Sequence, residues 1–180
     1  MDLFAGNAPQ NLTLIFRSDD DGDTWHYVSE VMPAFWGKLF IHKGDLYLLA
    51  CSTEYGDLLI GRSTDGGKTW TEPYECIPHN GRIYDAVYKD GVIYAMIFCN
   101  EHFLGNKPEH VYRIYTSRNN GQSFEEASVI PYPDTTRRGY CCMQFDAEGR
   151  LHAYTYNEAS EREMDHAVSC DCGKTWTVTE

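Results

Sequence analysis

The chain has 180 residues, with 15 Lys and Arg against 27 Asp and Glu and a formal net charge of −12. With 42% apolar, 14% aromatic and 23% charged residues it has the composition of a globular chain, and its length suits one ordinary domain. A pI near 4.9 excludes the basic face that nucleic acids and anionic membranes require, and the longest apolar runs, Leu46 to Cys51 and Val92 to Cys99, are too short to span a bilayer.

Met1 to Asn7 carries neither the basic nor the apolar stretch of a signal peptide. The cysteines (Cys51, Cys76, Cys99, Cys141, Cys142, Cys170 and Cys172) are odd in number, which favours reduced thiols in a cytoplasmic setting. Leu12 to Arg17 and His26 to Val31 read as strands on either side of a polar octet, Ser18 to Trp25. Trp36 to His42, a Lys43-Gly44 turn and Asp45 to Cys51 form a hairpin; Leu58 to Arg62 leads into a second octet, Ser63 to Trp70, and Thr71 to Cys76 leaves it. The pattern recurs with Ile83 to Tyr88, a turn at Lys89-Asp90-Gly91, Val92 to Cys99, Val111 to Thr116 and the octet Ser117 to Phe124. It recurs again with Tyr140 to Phe145, a turn over Asp146 to Gly149, Arg150 to Tyr156, His166 to Val168 and the octet Ser169 to Trp176.

The octets read Ser-x-Asp-x-Gly-x-Thr-Trp, with Asn119, Ser123 and Phe124 as substitutions in the third, and their serines are 45, 54 and 52 residues apart. This is turn chemistry. The Asp side chain accepts backbone N–H groups, the Ser and Thr hydroxyls close the loop, and Gly supplies a left-handed residue. The aromatic then plugs the space between neighbouring sheets. Asp20, Asp65, Asn119 and Asp171, with Trp25, Trp70, Phe124 and Trp176, are therefore expected to be structural. A twelve-residue calcium loop starting at Asp19 would need Gly at position six and Glu at position twelve, and has neither. Cys170-Asp171-Cys172 lacks the spacing and the second pair of a zinc site, and His79, His102 and His110 have no ligand spacing, so no metal and no cofactor are expected.

The octet resembles the Asp-box, or bacterial neuraminidase repeat, and from about Leu12 onward the chain resembles the sialidase superfamily of β-propellers. The resemblance implies an all-β fold of four-stranded blades, each with its box between the third and fourth strands. One domain, 1–180, would hold blade units at about 12–31 (partial), 36–76, 83–130 and 140–180, some three and a half blades of a six-bladed ring. That count predicts a fragment of a longer propeller, or a chain that completes its ring by self-association through apolar residues such as Leu39, Phe40, Ala86, Val87, Met143 and Phe145.

In such a blade the first-to-second and third-to-fourth turns share one face, so the boxes lie opposite the long loops. The resemblance places an active site on the long-loop face and implies a sialidase-like glycoside hydrolase acting on glycan termini; the alternative is a non-catalytic glycan-binding or interaction propeller. The family clamps a sugar carboxylate with three arginines, suited by their planar fork, and uses a tyrosine nucleophile assisted by glutamate. Carried over, these roles fall on Glu54 and Tyr55 as the catalytic pair and on Arg82 and Arg138 as the clamp, with Trp36 and Tyr140 as aromatic platforms for a sialoside-like carbohydrate. A third clamp arginine and the family's Arg-Ile-Pro signature are absent, so this chain alone is expected to be inactive.

Overall fold

The computed structural model describes residues 11–53, 56–77, 81–100, 110–133, 141–156 and 163–179. Among these there is no helix, and the strands form four separate antiparallel sheets. The first is a two-stranded unit, β1 (Thr13–Arg17) with β2 (His26–Val31). The second is β3 (Phe35–His42), β4 (Asp45–Cys51), β5 (Leu58–Ser63) and β6 (Tyr74–Ile77). The third is β7 (Gly81–Lys89), β8 (Val92–Asn100), β9 (His110–Ser117) and β10 (Glu125–Ile130). The fourth is β11 (Cys141–Phe145), β12 (Leu151–Tyr156), β13 (Met164–Ser169) and β14 (Thr177–Thr179). Each four-stranded sheet is a meander in chain order, with its octet between the third and fourth strands.

Sheets stacked face to face explain why the second strands read as unbroken apolar runs. Successive side chains of a strand point to opposite faces, so a sheet between two others must be apolar at every position. In β8, Ile93, Ala95 and Ile97 join a core with Leu49, Leu58 and Ile60 of the second sheet. The alternate residues, Tyr94, Met96 and Phe98, join Met143, Leu151, Ala153 and Ala167 of the fourth. Likewise Leu48 and Ala50 of β4 pack on Ile15 and Val31 of the first unit. The first strands of the full sheets, β3, β7 and β11, lie side by side and bring the three blades together along one line.

Two expectations are corrected. The fourth strand of the second sheet begins at Tyr74 rather than Thr71. Pro73 has no N–H for the ladder, and Thr71 is already held to β5 by its N–H on the Arg62 carbonyl and its hydroxyl on Arg62 N. The apolar residues of the first strands are also not the free faces of the terminal blades. Phe40, Ala86 and Met143 are buried between blades and Val87 and Phe145 pack half-buried against the same cores, while Leu39, with Ile41, is exposed beside the incomplete first unit. The free face of the fourth blade is polar and aromatic, carrying His152, Tyr154 and His166 stacked nearly parallel.

Candidate functional site

The molecule has two chemically different ends. At one, each octet folds as a closed turn. In the second, Ser63 Oγ accepts from Gly67 N and donates to Asp65 Oδ1, which also accepts Thr69 N at 2.9 Å, while Thr69 Oγ1 donates to Asp65 Oδ2 at 2.7 Å. The same bonds recur around Asp20 and Asp171. Asn119 reproduces them with an amide, accepting Ser123 N and donating through Nδ2 to Ser123 Oγ. Two successive left-handed residues close each turn, ending at Gly22, Gly67, Gly121 or Gly173. Hydrogen bonds from Thr24, Thr69 and Thr175, side chain and backbone, hold the three box carboxyls well below the ordinary carboxylate range, Asp20 at about 2. Both carboxylate oxygens of each box aspartate thus accept hydrogen bonds from within its own turn.

Neighbouring boxes and blades are latched together. Trp70 Nε1 donates to Ser29 Oγ at 3.0 Å, and Ser29 Oγ donates to the Gly67 carbonyl. Trp176 Nε1 donates to Ser128 Oγ at 2.9 Å, and Ser128 Oγ donates to the Gly173 carbonyl. Where Phe124 replaces Trp and no indole N–H exists, Tyr74 takes the place of the serine and its hydroxyl reaches the Gly121 carbonyl at 3.1 Å. Trp25 departs from its expected role as a plug: with no sheet placed against it among the described residues, it is 63% exposed and bonds only its own box carbonyl, at Gly22.

At the opposite end, aromatic side chains gather where β3 and β7 begin. Trp36 has a left-handed backbone, φ +56°, and packs edge-on against Tyr84 at 5.8 Å and beside Phe35 at 5.7 Å. Tyr84 leads to Phe98, Phe98 to Tyr112 and Tyr112 to Tyr132, with centroid separations of 6.0, 4.8 and 5.4 Å. The Tyr112 hydroxyl accepts from Thr155 Oγ1, and the Tyr132 hydroxyl donates to the Ala153 carbonyl, which fixes both rings. On the line where the blades converge, Asp85 accepts Met143 N at 2.8 Å and lies 3.9 Å from Lys38 Nζ, so one carboxylate ties three blades together. Burial, then the Asp85 charge, pushes the Cys141 thiol well up, so it stays protonated and acts as packing.

Of the residues expected to carry function, Trp36 is at this end, and Arg82 is the second residue of β7, paired with Phe98. Glu54, Tyr55, Arg138 and Tyr140 lie outside the described residues. Nothing in the sequence singles out Tyr84, Tyr112 or Tyr132. Phe98 and Tyr112 are partners across β8 and β9, and Tyr84 sits at the irregularity between Ile83 and Asp85 of β7, so the row appears only once the sheet is assembled. Among the described residues, no group of three or more His, Cys, Asp or Glu is arranged to hold a metal ion.

The BNR/Asp-box repeat family matches residues 62–72, the second octet with its flanks. No curated protein matches the sequence. Among solved structures, a Dyadobacter fermentans protein of unknown function is similar at 16% identity with a TM-score of 0.68, covering 91% of this chain and 56% of that one. Penicillium chrysogenum alpha-L-arabinanase, complexed with arabinobiose, is similar at 14% identity with a TM-score of 0.67, covering 95% and 56%. Trypanosoma rangeli sialidase, in complex with sialic acid, is similar at 17% identity with a TM-score of 0.60, covering 93% and 26%. The chain therefore spans between about a quarter and somewhat over half the length of these structures. Four octets folded as turns, blades stacked face to face and these likenesses agree: the chain carries the BNR/Asp-box repeat on the fold of the sialidase-like β-propellers.

Proposed function

We propose that this chain is a glycan-binding part of a sialidase-like glycoside hydrolase, with the sugar held at the end opposite the boxes. The observation that carries the reading is Trp36, a bulky aromatic in a left-handed backbone at the irregularity of the β3–β4 pairing between Phe35 and Lys38, at the start of the strand nearest the convergence line. Such a conformation costs on the order of 1–3 kcal/mol and is retained where surrounding structure and function demand it. Sugars present apolar faces that stack on aromatic rings, and Trp36 stands at the head of a fixed aromatic row. Solved structures of this fold hold sialic acid and arabinobiose, which supports a carbohydrate ligand.

In the finer reading the ligand is a sialoside, its carboxylate held by Arg82 and Arg138, with Tyr140 as a second platform and Glu54 and Tyr55 as the reacting pair. With two clamp arginines rather than three, the 180-residue chain binds without appreciable turnover. Calorimetric titration with sialic acid and with arabinobiose, alongside a fluorogenic sialoside assay, tests both halves. Binding of sialic acid that weakens at least tenfold in Arg138→Ala, with no hydrolysis, is the expected result. Turnover abolished by Arg138→Ala would establish the complete enzyme, and absence of binding to either sugar would remove the carbohydrate reading.

A further inference from the structure

Of the three interfaces between blades, the second is joined differently, through Tyr74 and the box of Phe124, and a cleft of about 220 Å³ opens beside that joint. Its two walls are neighbouring four-stranded sheets: Tyr47, Arg62, Thr71 and Tyr74 on one side, Asn120 and Gln122 of the third box on the other. Tyr47 is 4% exposed, its ring stacked on Phe40 at 5.6 Å and edge-on to His42 at 5.6 Å. Its hydroxyl, the end of the side chain that meets the cleft, hydrogen-bonds to no described residue. Buried hydroxyls are ordinarily satisfied, so this one points to something that enters the cleft. Further donors surround it. Arg62 gives Nε and Nη2 to Asp45, which leaves Nη1 unused among the described residues. Asn120 Oδ1 accepts from Lys43 Nζ at 2.8 Å and meets His42 Nε2 at 2.7 Å, which fixes the amide and leaves Nδ2 as a donor.

We propose that this cleft binds one neutral pyranose ring, as a second carbohydrate site at the box end. Size limits the ligand to a single ring, since pockets for drug-sized ligands run to ~300–1,000 Å³. Charge selects a neutral one. Asp45 already neutralises Arg62 through two N–H groups, and Lys43 is turned onto Asn120, so the guanidinium is left as a hydrogen-bond donor rather than a carboxylate clamp. Sugar hydroxyls both donate and accept, as do the Tyr47 hydroxyl and the exposed Gln122 amide. The apolar face of the ring has Tyr74 to lie on: its ring is 40% exposed and is held in place by its hydroxyl on the Gly121 carbonyl at 3.1 Å. This site does not rest on the loop-end reading, because Trp36 and Arg82 stand at the other end of their strands. Two sites on one scaffold would raise the effective concentration of a glycan-coated surface at the loop end.

Nuclear magnetic resonance titration of the full chain with methyl β-D-galactopyranoside and methyl β-D-glucopyranoside tests this, with sorbitol as the acyclic control. The side-chain amide resonances of Asn120 and Gln122 are expected to shift in a saturable way with at least one of the two glycosides, and not with sorbitol at the same concentrations. Tyr47→Phe removes only a hydroxyl that no described residue engages, so it should raise the dissociation constant at least fivefold while the urea midpoint stays where it was. Gln122→Ala, at an exposed position, should raise it at least threefold, and it carries the test alone if the Tyr47→Phe midpoint moves. Sialic acid titrated in parallel reports on the loop end separately, so loss of its binding leaves the glycoside result standing. No saturable shift with either glycoside, equal shifts with sorbitol, or a variant of unchanged midpoint that binds as the parent does would each overturn the proposal.

Discussion

Ser29 and Trp70, 41 residues apart, meet across the first interface between blades, where the serine hydroxyl accepts the indole N–H and donates to the carbonyl of Gly67 in the same box. The repeat is therefore more than a turn. Its glycine and tryptophan are one side of a joint whose other side is on the preceding blade, and the second interface, with Tyr74 and Phe124, keeps the joint while exchanging both partners.

The joint predicts that equivalent tryptophans contribute unequally. Trp70 packs half-buried in the core of the first interface, whereas Trp25 is 63% exposed. Trp70→Ala should cost about 3 kcal/mol, near the lower end for a buried aromatic, and Trp25→Ala under about 1 kcal/mol, as for a surface site. Ser29→Ala should cost about 1 kcal/mol, one hydrogen bond. Urea unfolding midpoints measure all three, and equal losses at Trp25 and Trp70 would refute the joint.

Gly121 predicts a steeper dependence. Its φ is +82°, and a Cβ there would stand 2.4 Å from Ile60 Cδ1 of the preceding blade. Gly91 has a similar φ, +81°, with open space around it. Gly91→Ala should therefore cost about 1 kcal/mol of backbone strain, and Gly121→Ala about 2–4 kcal/mol through strain plus overpacking. Introducing Ile60→Val removes the obstructing methyl and should return part of the difference, which a double-mutant cycle of urea midpoints reads directly.

Much of this was legible in the sequence because two rules act locally. The octet's hydrogen bonds close within eight residues, and the apolar run of β4 reflects burial on both faces, so Asp45–Cys51 and His26–Val31 have the bounds their patterns predict. What was not legible depends on neighbours. Trp25 and Trp70 share one motif, and only the presence of a preceding blade separates a joint from an exposed ring. The aromatic row from Trp36 to Tyr132 is likewise assembled from β3, β7, β8, β9 and the segment after β10, and no local spacing reveals it. Pro73 was visible, yet its delay of β6 emerges only once β5 is in place as the partner.

Acid should loosen the boxes in a defined direction. Hydrogen bonds from Thr24 hold Asp20 at about 2, below the unfolded value, and Asp65 and Asp171 are depressed in the same way. A depressed carboxyl stabilises the fold fully above its unfolded pKa, near 4, and that contribution disappears as pH falls through the folded value. Stability should therefore decline from about pH 4 towards pH 2 and below. Asn119 shows that an amide completes the same turn. Asp65→Asn should thus fold at neutral pH and show a shallower acid limb when urea midpoints are followed from pH 5 to pH 2. An unchanged acid limb would mean that other carboxylates control it.

The chain's four tryptophans supply the most direct measurement of where a sugar binds, since Trp36 stands at the loop end and Trp25, Trp70 and Trp176 at the box end. Their indole N–H resonances, assigned by single Trp→Phe substitutions, can be followed in a proton–nitrogen correlation spectrum during titration with sialic acid. The account predicts that the Trp36 resonance moves in a saturable way while the three box indoles stay in place. Movement of the box indoles with Trp36 unmoved, or no movement of any of the four, would contradict it.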